Sequence, residues 1–165
     1  MGFSQTVVNT KRHRNPSKRN TVYEQLKLDN QICFRLYAAS RLLTQAYTPL
    51  LMPLKLTYPQ YLVLMVLWEK DNQLVSDISH QMMLESNTLT PLLQRMEREG
   101  LVVRTKGIAD GRQTLVSLTK KGQRLQEQCK DIPECMAAHI GNGNISPEQA
   151  TNLKGTLDAL IKTLR

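Results

Sequence analysis

The sequence predicts a mainly α-helical fold with one small β-hairpin, and three observations carry that prediction. Leu and Met supply much of the apolar bulk while aromatic residues make up only 5% of the chain, a balance that favours helix over sheet. Apolar residues recur at helical spacing over most of the length. The period changes once, in residues 101–118, where two short runs rich in Val, Leu and Thr flank a segment holding Gly107, Asp110 and Gly111.

Residues 1–25 read as a basic, disordered tail. Lys11, Arg12, Arg14, Lys18 and Arg19 bring five positive charges with no acid among them, and Pro16 interrupts the run. Such a tail is either a solvated extension or an arm that touches nucleic acid. From Leu26 to Leu51 the apolar positions Ile32, Leu36, Ala39, Leu43, Tyr47 and Leu50 predict one long helix, of the kind that often builds a dimer. Thr57-Tyr58-Pro59 starts the next helix, with Thr57 as N-cap and a proline in the first turn. Its apolar body, Tyr61–Trp68, should be buried.

Asp71-Asn72-Gln73 reads as a turn, and Val75–Met82 as a short helix with Ile78 and Met82 on one face. Residues 84–88 are rich in capping types and lead into a helix over Leu89–Glu99, which Gly100 stops. Pro91 requires that this helix begin nearby, at Ser86 or Thr88. Leu101–Arg104 and Thr114–Leu118 are strands joined by a long basic tip. Thr119 starts a helix running towards His139, and the Gly/Asn run at 141–144 breaks it. Ser146 and Gln149 then form a capping box around Pro147. Leu153, Leu157, Leu160 and Leu164 follow as an apolar stripe, facing either the subunit's own body or a matching helix of a partner.

The 165 residues carry a net charge of +8, but without the five tail cations 17 basic residues face 14 acidic ones. Basicity alone is thus a weak argument for DNA. No apolar run approaches the roughly 20 residues that span a bilayer, and no apolar stretch follows the charged N-terminus as a secretory signal requires. No membrane partner and a cytoplasmic location are expected. Cys33, Cys129 and Cys135 are too few for a secreted disulfide scaffold and should be thiols in a reducing compartment.

Short helix, turn, helix ending in Gly and two-stranded hairpin is the order of a winged helix-turn-helix, here over residues 57–119. Its second helix enters the major groove with its N-terminal turns near bases and phosphates. Ser86, Asn87, Thr88 and Thr90 offer small hydrogen-bonding groups there, beside backbone amides suited to phosphate. Arg95 and Arg98 follow on the same helix, and Arg reads guanine in a bidentate way. Lys106 and Arg112 lie on the hairpin, where a wing meets the minor groove.

The runs LTYPQYLVLMVLWE (56–69) and LESNTLTPLLQRMEREGLVVR (84–104) resemble the MarR family of winged-helix regulators. Within that family, LDNQICFRLYAASR (28–41) and Asp131-Ile132-Pro133 are similar to the organic hydroperoxide resistance (OhrR) repressors. The likeness covers 26–165, nearly all but the tail. It implies a homodimer joined through residues 26–56 and 120–165, bound to a pseudo-palindromic double-stranded operator and released by organic hydroperoxide, with derepression of a neighbouring peroxide-detoxifying enzyme. Cys33 matches the sensing cysteine of that group. Tyr47 and Tyr58 match tyrosines that reach it from the partner subunit, and Tyr37 a further tyrosine of the pocket. Asp110 and Arg112 match the wing's acidic and minor-groove residues. Three departures stand out: Glu85-Ser86-Asn87 where Asp-Ser-Gly is usual, Gly111 where an acid is common, and the long tail.

A thiol attacks the peroxide O–O bond only as thiolate, and an ordinary thiol titrates near ~8.5, so phenol donors such as Tyr47 and Tyr58 would assist it. Ile32, Phe34, Leu36 and Leu51 supply an apolar setting that favours organic peroxides. The sulfenic acid formed then condenses with another thiol. Members of the group use either small thiols or a cysteine near the C-terminal end. Cys135 is the favoured resolving thiol, with Cys129 the other candidate.

Three other readings compete. A one-cysteine peroxidase lacks a dedicated reductase site, so no enzyme is expected. A metal sensor using Cys129, Cys135 and His139 has loose ligand spacing, so neither metal nor cofactor is expected. The closest rival is a MarR-type repressor gated by reversible binding of a small phenolic or lipophilic ligand.

Overall fold

The computed structural model describes residues 23–107, 113–141 and 145–165. The basic tail through residue 22, the hairpin tip with Asp110 and Arg112, and residues 142–144 lie outside the described residues. Compactness divides the chain into two units between Ala39 and Ser40.

Two 3₁₀ turns, Glu24–Leu26 and Leu28–Asn30, lie in the first unit and precede α1, Ile32–Leu51, whose residues from Ser40 onward belong to the second. The helix expected from Leu26 thus starts six residues later. The physical reason lies in Asp29-Asn30: short polar side chains compete with the helical backbone, and Asn30 Nδ2 donates to the Glu24 carbonyl at 2.8 Å.

The second unit continues with α2 (Tyr58–Glu69), β1 (Gln73–Leu74), α3 (Val75–Met82), α4 (Ser86–Arg98), β2 (Val102–Lys106) and β3 (Thr114–Leu118). Helices α5 (Lys120–Cys129), α6 (Ile132–Gly141) and α7 (Pro147–Leu164) follow. The helix start at Thr57 is as expected: Thr57 N–H and Oγ1 both donate to Gln60 Oε1, at 2.9 and 3.1 Å. Asp71 and Asn72 do turn, Asn72 in the left-handed region at φ 55°. Gln73, however, opens a strand. It pairs antiparallel with β3, Gln73 opposite Val116, giving a three-stranded sheet in the order β1-β3-β2. The hairpin pairs Val102 with Leu118 and Lys106 with Thr114, so β2 extends two residues beyond its expected end.

The helix expected from Thr119 to His139 is two helices. Thr119 caps the first, accepting from Gly122 N at 3.1 Å. Pro133 lacks an N–H and therefore fits the opening turn of α6 rather than the middle of one continuous helix. Ser146 and Gln149 cap α7 reciprocally, as expected.

The core gathers α2 (Tyr61, Val63, Leu64, Leu67), Ile78 of α3, α4, the sheet residues Val102 and Val116, and Leu125 and Cys129 of α5. By contrast, α7 buries no residue; Leu153 is 51% and Leu164 77% exposed. The subunit's own body therefore covers the apolar stripe only in part: Leu157 and Leu160 are half-buried, while its two ends stand open. Among the described residues, no single helix is long and apolar enough to cross a membrane.

Candidate nucleic-acid interface and thiol sites

Helix α3 ends at Met83, a C-cap at φ 53°, and the turn closes with Leu84 N–H on the Ser79 carbonyl at 3.0 Å. Ser79 Oγ also donates to the Leu84 carbonyl. Of the two starts that Pro91 permits for α4, Ser86 is the observed one. Its N-cap is Glu85, whose carbonyl accepts from Thr88 and Leu89 N–H. At its end Gly100, at φ 70°, and Leu101 donate to the Glu97 and Met96 carbonyls, a Schellman closure.

One face of α4 is buried: Leu89, Leu92, Leu93 and Met96 are each 5% exposed or less. Burying each such side chain contributes roughly 1.5–3 kcal/mol, so the helix is firmly seated and its remaining faces are determined by the 3.6-residue period. Asn87, Pro91, Gln94 and Arg98, spaced at four, three and four, form the stripe opposite the core, and all four are exposed. Thr88 and Arg95 are also exposed but lie on one flank. That flank lines a cleft with Lys55, Thr57, Gln60 and Glu99. Ser86, Thr90 and Glu97 occupy the other flank, towards β2, and Thr90 Oγ1 donates to the Ser86 carbonyl at 2.7 Å.

Residue type alone did not single out Gln94, because nothing in a Gln between Leu93 and Arg95 betrays its face until the buried face is known. On β2, Lys106 is exposed, and Arg104 is bound to Glu97. That contact holds the Glu97 carboxyl below the usual range, chiefly through the hydrogen bond from the Arg104 side chain. The far end of α4 is tied to α5. Lys121 Nζ donates to the Glu99 carbonyl at 2.8 Å, and Thr119 Oγ1 to that of Gly100 at 2.6 Å.

Cys33 is exposed and is the second residue of α1. The late start of the helix puts Cys33 in its first turn. Tyr37 lies one turn further along α1, 59% exposed, near exposed Ile32 and Phe34. In the second unit, Tyr47 and Tyr58 stack against one another, and Tyr47 lies 6.0 Å from Tyr61 between ring centroids. Tyr61 is buried, and that burial first, then its neighbours Tyr47, Cys129 and Tyr58, push its phenol up to about 12.

Cys129 is 2% exposed, and burial raises its thiol pKa. Cys135 is exposed on α6. Among the described residues, no three His, Cys, Asp or Glu side chains are grouped to hold a metal, so Cys129, Cys135 and His139 do not converge.

The family profile of the transcriptional regulator SarA/Rot matches residues 45–129. The organic hydroperoxide resistance transcriptional regulator of Bacillus subtilis (strain 168) is 44% identical over 142 residues, 86% of this chain and 95% of that one. Among solved structures, AbfR of Staphylococcus epidermidis in its reduced, DNA-bound form is 37% identical with a TM-score of 0.70, covering 86% of this chain and 96% of its own. A disulfide-formed AbfR is 40% identical at a TM-score of 0.58, over 84% and 95%. With its winged helix-turn-helix and these likenesses together, the chain belongs to the MarR family of winged-helix transcription regulators, within its organic hydroperoxide resistance group.

Proposed function

We propose that this chain is a redox-responsive transcriptional repressor, not an enzyme, that senses organic hydroperoxides through Cys33 and leaves its operator when Cys33 is oxidised. The observation that carries the reading is an exposed thiol in the first turn of α1 on a chain that presents the outward polar stripe of α4. The Cys33 thiolate attacks the peroxide, giving a sulfenic acid and the alkoxide, which takes a proton to leave as alcohol. A second thiol then condenses with the sulfenic acid, forming a disulfide and water. Cys135 supplies that thiol because it is accessible, whereas Cys129 is enclosed in the core.

The working unit is a homodimer in the cytoplasm. Support comes from α7, whose apolar stripe is only partly covered within the subunit, with Leu153 and Leu164 exposed, and from exposed Ile32, Phe34 and Tyr37. Tyr47 and Tyr58 of one subunit serve Cys33 of the other as hydrogen-bond donors. The dimer sets two copies of α4 on a pseudo-palindromic duplex. Ser86, Asn87, Thr88, Thr90, Arg95 and Arg98 contact DNA from the helix, while Lys106, Asp110 and Arg112 act from the wing. Oxidation shifts the population to a form whose recognition helices no longer match the half-sites.

Operator binding followed by fluorescence anisotropy during titration with cumene hydroperoxide tests this. The probe is a duplex of about 30 base pairs, room for two half-sites, selected from a randomised pool by the reduced wild-type protein. Wild type releases the duplex, dithiothreitol restores binding, and Cys33→Ser stays bound. Release by Cys33→Ser equal to that of wild type sinks the redox reading. A cavity of about 390 Å³ lined by Thr44, Thr48, Leu51, Met52 and Tyr58 would then favour gating by a small phenolic or lipophilic ligand.

A further inference from the structure

Glu97 and Arg104 meet across the junction between α4 and β2. Arg104 backbone N–H donates to Glu97 Oε1 at 3.0 Å, its Nε donates to Oε2 at 2.9 Å, and Nη2 lies 2.8 Å from the same oxygen. Both carboxylate oxygens are engaged, one by the strand's backbone and one by the guanidinium. The side chains remain partly open to solvent, 35% and 25% exposed. Exposed ion pairs contribute little stability on their own, since two long side chains must be ordered for one contact. A forked charge-assisted contact fixes geometry instead, and here it fixes a strand backbone to a helix.

Alternation along β2 puts residues 102, 104 and 106 on one face. Val102 is buried in the core, Arg104 grips Glu97, and Lys106 stands exposed nearest the hairpin tip. Glu97 belongs to the flank of α4 that faces β2, beside the outward stripe of Asn87, Gln94 and Arg98. The pair therefore sits between the two parts of the surface that would meet DNA.

We propose that Glu97 and Arg104 are positioning residues that clamp the wing strand to the recognition helix, so that Lys106 and the α4 stripe reach one duplex together. The proposal rests on the DNA-binding reading above. It opposes a simpler role, in which Arg104 itself is a phosphate ligand and Glu97 merely weakens it. The two accounts differ in sign. Replacing Glu97 by Gln removes a negative charge close to DNA, so electrostatics alone predicts tighter binding. Loss of the clamp predicts weaker binding.

The test measures affinity of the full chain for the selected duplex across a salt series, with thermal midpoints recorded for each variant. Glu97→Gln and Arg104→Lys are each expected to bind about tenfold more weakly, the scale of a lost charged hydrogen bond. Lysine keeps the charge but lacks the fork. Lys106→Ala should weaken wild type several-fold and flatten its salt dependence, yet cost little more in either clamp variant, because a misplaced wing no longer makes that contact. Glu97→Gln binding as tightly as wild type, or more tightly, overturns the clamp. So does an equal cost of Lys106→Ala in every background. Should Glu97→Gln melt below the assay temperature, Arg104→Lys, which keeps the backbone bond, decides alone. Failure of wild type to select any duplex removes the DNA-binding reading itself.

Discussion

The rings of Tyr47 and Tyr58 lie with centroids 4.7 Å apart and planes tilted by 39°. Burial raises both phenol pKa values, and Tyr47 raises that of Tyr58 further. Each phenol therefore keeps its proton at any pH the cell meets and stays a hydrogen-bond donor. Two donors held together in this way suit an anion brought to them from outside the subunit's own core.

If those phenols stabilise the attacking thiolate, removing them slows the chemistry without unfolding the chain. Tyr47→Phe and Tyr58→Phe should each slow oxidation of Cys33 by cumene hydroperoxide roughly tenfold or more, and the double variant further, since a hydrogen bond to a charged group contributes about 1.5–3 kcal/mol. Stopped-flow consumption of the thiol measures this. Rates unchanged in the double variant would remove the tyrosines from the mechanism.

Accessibility separates the three thiols. Alkylation of the native protein by iodoacetamide, followed by mass spectrometry, should label Cys33 and Cys135 well before Cys129, whose thiol is buried and held in its neutral form. After peroxide treatment of the protein, a Cys33–Cys135 peptide should appear, and Cys135→Ser should lose it. A Cys33–Cys129 peptide would mean that the core around α5 opens during the response.

Helix α5 meets the end of the recognition helix too closely for any side chain at Gly122. A Cβ there would lie 2.3 Å from the Leu101 carbonyl oxygen and 3.1 Å from Leu118 Cδ2. Neither the backbone nor the packed leucine yields easily, so Gly122→Ala should destabilise by about 1–3 kcal/mol. Trp68, whose Nε1 donates to the Gly122 carbonyl at 3.0 Å, should report the disturbance by its fluorescence. A thermal midpoint equal to that of wild type would contradict the packing described.

Alkaline pH should loosen the core through Tyr61. Burial pushes its phenol up to about 12 in the folded chain, against an ordinary 10.0. The unfolded chain thus releases its proton first, and stability present below pH 10 is lost as pH rises towards 12. Tyr61→Phe cannot ionise and should lose less stability across that window in urea titrations. Parallel losses in the two proteins would assign the effect to other groups.

The sequence by itself determined the elements with strong local signals. The N-cap at Thr57, the capping box at Ser146, the stop at Gly100, the change of period after residue 101 and the Cys33 context were legible because each is written in neighbouring residues. Tertiary structure decided what depends on distant partners. Strand β1 is two residues long and exists only because β3 pairs with it. The start of α1 moved to Ile32 as the Asn30 side chain bonded to the Glu24 carbonyl instead, and that shift placed Cys33 in a first turn. The burial that separates Cys129 from Cys135 comes from packing of α5 against the core. Helical spacing lays out the residues of α4, but only knowing which face is buried sets Gln94 outward and Arg95 on a flank. The bond from Glu97 to Arg104 joins two elements whose separation no local pattern encodes, because it is set by how a helix settles on a sheet.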